Sequence, residues 1–143
     1  MQNTRQVPVD VIRSTGFRAT LPKIRVLRVF QQTAERHLSV EDIHRILLTE
    51  GGAPDQRTIY RVLGQFQEAG LLRSHRFRHG AALYELNDDT GHGHCVCTCC
   101  GKIEDLPPDP RIDALQQRAS EAHGFRLRAS SFTLYGLCSR CRG

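Results

Sequence analysis

The sequence has no cysteine before position 95, no internal repeat and no apolar run that approaches the length of a membrane span. A transmembrane helix needs about 18 or more consecutive apolar residues. The N-terminal segment MQNTRQVPVD also lacks the apolar core of a signal peptide. We therefore expect a soluble cytoplasmic protein without a membrane partner. At 143 residues, 39% hydrophobic and 24% charged, the chain has room for one domain of modest core or two very small ones.

Acidic residues are scarce in the first part of the chain. Residues 1–86 contain 13 Arg and Lys against 8 Asp and Glu, whereas residues 87–143 contain 7 of each, so the net charge of +5 arises in the first part. Lysine is scarce as well, because 18 of the 20 basic residues are Arg. The guanidinium group suits phosphates and base edges. Two interpretations fit this composition: a basic surface that contacts only solvent, and, as the functional interpretation, a surface that binds DNA.

Four helical patterns open the chain, the first a weak one over residues 9–13. The second starts at an N-cap, Thr20, with Pro22 in its first turn, the third at a capping box beginning with Ser39, and the fourth at the cap Asp55. Apolar residues recur at helical spacing in the last three, and these predict the core: Ile24, Leu27 and Phe30; Ile43, Ile46 and Leu47; and Ile59, Val62, Leu63 and Phe66.

A basic hairpin is predicted after Gly70, which ends the fourth helix. Residues 71–77 and 81–86 flank His79-Gly80, and the hairpin carries three arginines, Arg73, Arg76 and Arg78. A helix-turn-helix followed by such a hairpin is typical of a winged helix, in which the hairpin lies beside the DNA backbone.

The fourth helix has a polar side opposite its apolar stripe, which spans about 100° of arc. It carries Arg57, Tyr60, Arg61, Gly64 and Glu68. We interpret this side as the DNA-reading face, where Arg61 pairs with a guanine edge and Tyr60 packs on a thymine methyl. A solvated charged face is the alternative interpretation.

The polar stretch 87–91 predicts a boundary. We expect a winged-helix DNA-binding domain over residues 1–86, a hinge over 87–93 and a second domain over 94–143. The second domain is predicted to have two short strands between Cys95 and Leu106, a helix over residues 112–123 and one long strand over residues 125–137. The fold class is therefore α+β, a winged helix-turn-helix domain followed by a small α/β domain.

All six cysteines fall in the second domain, and four of them form two Cys-x-x-Cys pairs, Cys97 with Cys100 and Cys138 with Cys141. Such pairs in a cytosolic protein are typical of zinc ligands. Four thiolates close the tetrahedral shell of zinc, which indicates a structural site; buried free cysteines are the alternative. The remaining two, Cys95 and Cys99, are interpreted as spare thiols.

Histidines suggest a second metal site beside the first. Because residues of equal parity share one face of a strand, His92 and His94 should point away from Cys95 and Cys97. Two imidazoles so spaced, with carboxylates nearby, can share an ion. Four further histidines have no such partner in the sequence, and we interpret them as surface or packing residues: His44, His75, His79 and His123.

The order of these features resembles the ferric uptake regulator family over residues 16–141. The matching motifs are GFRATLPKIRVL from Gly16, TIYRVL from Thr58, AGL from Ala69, YEL from Tyr84, His92-x-His94-x-x-Cys97-x-x-Cys100-Gly101, and Tyr135-Gly136-x-Cys138-x-x-Cys141.

The resemblance implies a homodimer, a C-terminal dimerisation domain and metal-dependent binding to a palindromic operator in double-stranded DNA. It implies that Arg18 enters the minor groove and that Tyr60 and Arg61 contact bases. It also implies two metal sites: a regulatory site of His37, Glu85, His92, His94 and Asp105, and a structural zinc on Cys97, Cys100, Cys138 and Cys141.

Three positions depart from the family pattern. Lys23 stands where the family usually has Arg, which should keep a phosphate contact but lose its bidentate geometry. Gly93 stands where many members have an aspartate, and Ser130 stands where they have a histidine. In those members the aspartate and the histidine both contribute to an additional metal site. We expect that third site to be absent or crippled, with His92 and Asp113 left.

The function expected from these observations is a repressor that responds to Fe²⁺ or Mn²⁺, with Zn²⁺ able to substitute in vitro. Zinc-responsive and peroxide-responsive regulators of the same family are the alternatives. A remote one is a zinc hydrolase with His37, His92 and His94 as ligands and Glu85 as base. The sequence has no nucleophile motif and no glycine-rich phosphate loop, so we expect neither an enzyme nor a small-molecule substrate. A pure protein-interaction zinc module is a third class.

Overall fold

The computed structural model describes residues 6–77, 80–87, 93–128 and 130–143. The chain divides into two compact units, Met1–Asp88 (unit 1) and Asp89–Gly143 (unit 2). The predicted hinge contains this division, and its residues 88–92 lie outside the described residues. Within the described ranges, no helix is both long and apolar enough to cross a membrane.

Unit 1 has four helices: α1 (Pro8–Ser14), α2 (Leu21–Gln32), α3 (Val40–Thr49) and α4 (Gln56–Glu68). Local hydrogen bonds place their ends. At α3 the Ser39 Oγ accepts from the Asp42 N–H (3.1 Å), and the Asp42 carboxylate accepts from the Ser39 N–H (2.9 Å), which forms the predicted capping box. At α4 the Asp55 carboxylate accepts from the Thr58 N–H (2.7 Å). The Thr20 side chain, in contrast, makes no cap hydrogen bond, and Pro22 in the first turn of α2 favours the helix start there.

Gly70 ends α4 as predicted. Its φ of 75° is a left-handed conformation that costs glycine little. The Leu71 N–H then returns to the Phe66 carbonyl (2.9 Å), the bond that closes a Schellman motif. The chain therefore leaves α4 directly into the first strand.

The core of unit 1 is formed by buried apolar residues of all four helices and of the chain after α4. Ile24 and Ile46, from the predicted stripes, are partly buried and pack against this core. Truncating a large aromatic side chain in such a core typically costs about 3–5 kcal/mol, so this packing holds the helices in place. Its least exposed apolar members include Val26, Leu27, Ile43, Leu47, Ile59, Leu63 and Phe66.

A small antiparallel sheet follows α4 and forms the predicted hairpin. Strand β1 (Leu72–His75) pairs with β2 (Leu83–Leu86). An isolated antiparallel bridge adds Leu38, the residue two before α3, to the outer side of β2 opposite Tyr84. The hairpin tip, Arg78 and His79, lies outside the described residues.

Unit 2 contains β3 (Gly93–Cys97), β4 (Ile103–Leu106), α5 (Pro110–Ala122) and β5 (Thr133–Gly136). The central strand β3 runs antiparallel to β4 and parallel to β5. The prediction of one long strand over residues 125–137 was wrong. Among the described residues of that range only Thr133–Gly136 form a strand, which pairs with β3 from His94 to Cys97.

Unit 2 has almost no core of its own. Among its described residues only His94 and Cys97 are buried, and α5 has no buried residue. Five large apolar side chains lie between 43% and 71% exposed in unit 2: Leu115, Phe125, Leu134, Tyr135 and Leu137.

The capping box predicts the result of a substitution. We expect Ser39→Ala to lower the free energy of unfolding of unit 1 by about 0.5–2 kcal/mol, because the first turn of α3 loses its side-chain acceptor. Thermal or urea unfolding followed by circular dichroism measures this. Thr20→Ala is the matched control and should change little, since Thr20 caps without a side-chain bond. An equal loss in both variants would contradict the assignment.

Candidate metal centres and nucleic-acid interface

Four cysteine sulfurs come together at one end of the unit 2 sheet. The parallel pairing of β3 with β5 sets Cys97 opposite Gly136, so the turn after β3 lies beside the turn that follows β5. The Cys138 N–H donates to the Cys97 Sγ (3.4 Å), and the Cys100 and Cys138 Sγ atoms lie 3.8 Å apart. The sulfurs of Cys97, Cys100, Cys138 and Cys141 all lie within 4.8 Å of one another.

This spacing fits a tetrahedral zinc ion. Thiolate sulfurs about 2.3 Å from zinc at tetrahedral angles lie about 3.8 Å from each other. Four thiolates leave no open coordination position, so the site suits a structural ion and not a catalytic one.

Backbone hydrogen bonds lower the pKa of two of these four thiols. The N–H groups of Cys100 and Cys138 donate to the Cys97 sulfur and lower the pKa of that thiol to about 6. The Cys141 N–H lowers the pKa of Cys138 in the same way. The Cys141 pKa is raised instead, by hydrogen bonds with the thiols of Cys138 and Cys99. Because metal binds thiolates, lowered pKa values reduce the number of protons that binding must displace near neutral pH.

The two other cysteines differ in their surroundings. Cys99 is exposed and its thiol contacts Cys141, so it lies beside the four-sulfur cluster. Cys95 lies on β3 between Glu104 and Leu134 and borders an open cavity of about 340 Å³. Neither belongs to the set of four sulfurs.

In unit 1, an imidazole and a carboxylate are brought together by the Leu38–Tyr84 bridge. Because the bridge is antiparallel, the residue before Leu38 lies opposite the residue after Tyr84. His37 Nε2 is 3.2 Å from Glu85 Oε2, and Glu85 is 1% exposed. A buried carboxylate needs a cation or strong donors beside it, so this pair is a candidate for binding a metal ion.

Sequence reasoning missed a second imidazole on Glu85. The sequence predicts a surface or packing role for His75, but its Nε2 lies 2.7 Å from Glu85 Oε1. The contact follows from the pairing of the two strands. Arg73 lies opposite Glu85 in the β1–β2 register, so His75 is a diagonal neighbour on the same face.

In unit 2, the register of β3 and β4 sets His94 opposite Asp105. His94 is 2% exposed, and its Nε2 lies 3.6 Å from Asp105 Oδ1. The two faces of β3 are separated as parity predicted, since Cys97 joins the sulfur cluster while His94 meets Asp105. The fifth member of the predicted regulatory set, His92, lies outside the described residues.

Within each pair, taken separately, the distance between the donor atoms is compatible with two ligands of a divalent ion. Donor atoms about 2.1 Å from an ion lie about 3.0 Å apart in an octahedral shell and about 3.4 Å apart in a tetrahedral one. The pair in unit 1 measures 3.2 Å and the pair in unit 2 measures 3.6 Å. Each needs only a small adjustment to bind a divalent cation.

The predicted DNA-reading residues are all exposed. On α4 the apolar stripe faces the core, and Arg57, Tyr60, Arg61 and Gly64 face outward, with Tyr60 56% exposed. Arg18, in the segment between α1 and α2, and Arg76, after β1, are exposed as well. The structure thus leaves these side chains accessible to a duplex.

Lys23 does not meet the expectation of a phosphate contact. Its ammonium donates to the Arg18 carbonyl (3.1 Å) and lies 5.1 Å from the centre of the Phe17 ring, and the residue is 9% exposed. The cation is therefore directed toward its own chain. It supports the backbone that carries Arg18.

Position 93 has no room for a side chain. A Cβ there would lie 2.8 Å from the Phe132 Cδ1 and 3.0 Å from the Phe132 carbonyl oxygen. An aspartate would require Phe132 to move. The close approach of Phe132 therefore favours glycine at this position.

Comparison with known proteins agrees with this geometry. The model of the ferric uptake regulator family matches residues 14–135. The ferric uptake regulation protein of Neisseria gonorrhoeae is 42% identical over 131 residues, which are 92% of this chain and 90% of that protein.

Two solved structures are similar throughout. The ferric uptake regulator of Pseudomonas aeruginosa with manganese has a TM-score of 0.79 and 33% identity, over 94% of this chain and 99% of that one. The regulator of Francisella tularensis with iron has a TM-score of 0.78 and 33% identity, over 90% and 96% of the respective chains.

The sulfur cluster predicts that Cys97→Ser removes zinc. We expect the purified variant to contain well under one zinc per chain and unit 2 to unfold at lower temperature, because zinc binding in such sites contributes roughly 10 kcal/mol or more to folding. Elemental analysis and thermal unfolding measure the two effects. The matched control, Cys95→Ser, should retain its zinc. Full zinc content in Cys97→Ser would bring Cys95 or Cys99 into the site.

Proposed function

We propose that this chain, which belongs to the ferric uptake regulator family, is a transcriptional repressor that binds a palindromic operator as a homodimer when Fe²⁺ occupies its regulatory site. One observation carries the proposal: the sheet that follows the DNA-reading helix also holds the His37–Glu85 pair. A cation bound there acts on the same element that approaches DNA. We place the protein in the cytoplasm and assign it no enzymatic activity.

DNA recognition is assigned to α4 and the hairpin. The exposed Arg61 is suited to a bidentate pair of hydrogen bonds with guanine, and the exposed Tyr60 ring to a thymine methyl. Arg57 and Arg76 are suited to phosphates, and Arg18 to the minor groove. The excess positive charge of residues 1–86 supplies the attraction that is independent of sequence.

Dimerisation is assigned to unit 2. A unit of this size normally needs oligomerisation, a metal or disulfides to be stable. Here the described residues show almost no buried apolar side chain, whereas Leu115 and Phe125 are 58% and 71% exposed. Contact with a second copy would bury such side chains. Two copies would also present two α4 helices to the two halves of a palindrome.

The regulatory ion is assigned to His37, Glu85, His92, His94 and Asp105. Three imidazoles and two carboxylates provide nitrogen and oxygen donors without thiolate, which suits Fe²⁺ or Mn²⁺. The solved regulators of Pseudomonas aeruginosa with manganese and of Francisella tularensis with iron support this choice. Cys95 lies opposite Glu104 and on the other face of β3 from His94, so it adds no thiolate that would favour Zn²⁺. Zn²⁺ on the four cysteines is assigned a structural role.

Two arginine variants test the DNA assignment. We expect Arg61→Ala to lose about 1–3 kcal/mol on the specific site and to discriminate poorly among sequences, because it loses a base contact. Arg76→Ala should weaken all sequences alike and reduce the salt dependence by about one phosphate contact. Fluorescence anisotropy with an operator selected from random duplexes measures both. The opposite pattern would reverse the assignment of base reading and phosphate contact.

Metal titration tests the regulatory assignment. We expect Fe²⁺, added anaerobically to the zinc-loaded protein, to raise operator affinity by roughly 5–150-fold, the usual range of coupling between two sites. His94→Ala should lose most of this gain, while His123→Ala, an exposed histidine on the same unit, should keep it. Parallel titrations with Mn²⁺ and Zn²⁺ compare the effect of the three ions on operator affinity. A response to trace Zn²⁺ alone, or a normal iron response in His94→Ala, would eliminate the iron sensor.

A further inference from the structure

We propose that His75 is a positioning residue for the regulatory metal: it holds the Glu85 carboxylate so that one oxygen is directed to the ion. This inference rests on the regulatory site proposed above and adds a residue to it. His75 itself is not assigned as a ligand.

The two oxygens of Glu85 have different imidazole partners. Oε1 lies 2.7 Å from His75 Nε2, and Oε2 lies 3.2 Å from His37 Nε2. The shorter distance is a strong hydrogen bond in which the His75 N–H donates to the carboxylate. The longer one joins the atoms that would be ligands. An ion bound to Oε2 and His37 Nε2 would thus leave the His75 contact intact.

His75 is itself held in place. It belongs to β1 and reaches Glu85 on β2 across the diagonal of the strand pair, because Arg73 is directly opposite Glu85. Its ring stacks on Phe77, with centroids 5.6 Å apart and planes 11° apart. Phe77 is buried and the His75 side chain is 18% exposed. Backbone pairing and ring stacking therefore limit the orientations available to the imidazole.

The chemical consequence is a single orientation of the Glu85 carboxylate. With Oε1 bound to the His75 N–H, Oε2 faces His37, so the carboxylate binds a cation through one oxygen only. Hydrogen bonds to ligating side chains typically change metal affinity by 10–100-fold, because the ligand no longer has to be ordered when the ion binds. His75 also lies next to Arg76, so the contact connects the ion to the hairpin.

The test compares a variant that keeps a donor at position 75 with one that removes it. His75→Gln retains an N–H that can reach Oε1, whereas His75→Leu retains bulk against Phe77 without a donor. Co²⁺ is titrated into zinc-loaded protein and followed by its visible d–d absorption. Near-ultraviolet bands from cobalt–thiolate bonds report any exchange at the cysteines. His44→Leu, a half-buried histidine on α3, is the matched control.

We expect His75→Leu to bind Co²⁺ roughly 10–100-fold more weakly and with altered d–d bands, because Glu85 is then free to bind through both oxygens. His75→Gln should recover most of the affinity and the wild-type spectrum, and His44→Leu should match wild type. Thermal unfolding of each zinc-loaded variant, measured before Co²⁺ is added, checks that the variants are folded. Equal affinity and spectrum in His75→Gln and His75→Leu would overturn this inference alone. A wild-type protein that binds no Co²⁺ outside the cysteines would overturn the regulatory site and the inference with it.

Discussion

Two backbone hydrogen bonds between Leu38 and Tyr84, of 3.0 and 2.8 Å, determine where the chemistry of unit 1 takes place. They attach the segment before α3 to the outer side of β2. The backbone pairing alone therefore places the side chains of His37 and Glu85 next to each other. Glu85 lies on β2 and is therefore part of the hairpin that follows α4. The coupling between metal and DNA in the proposed function depends on this short sheet.

The two units are stable for different reasons. Unit 1 has a continuous apolar core contributed by four helices. Unit 2 has few buried side chains among its described residues, and four clustered thiols lie where its two turns meet. A structural ion on these thiols would compensate for the missing core, since zinc binding in small domains is coupled to folding. The dimer of the proposed function would stabilise unit 2 further by covering its exposed apolar side chains.

The alternation of side chains along β3 separates two kinds of metal chemistry. Cys97 on one face joins soft sulfur ligands, and His94 on the other meets a carboxylate. Thiolates favour zinc, whereas imidazoles with carboxylates also accept iron and manganese. A one-residue shift in the pairing of this strand would exchange the faces and mix the donor sets. The strand register therefore keeps the two donor sets of the proposed function apart.

The amino-acid sequence by itself determined the features that depend on near neighbours in the chain. Ser39, Asp55 and Gly70 set helix ends through bonds to residues a few positions away, and each Cys-x-x-Cys pair is a single turn. Parity along β3 was predictable for the same reason.

Only the tertiary structure decided the features that depend on distant pairing. The diagonal contact of His75 with Glu85 follows from the β1–β2 register, the inward direction of Lys23 from the packing of Phe17 and the Arg18 carbonyl, and the short β5 from the length of β3. Such contacts join separate segments, and their geometry is set by which strand or helix lies beside which. Residue spacing within any one segment does not contain that information.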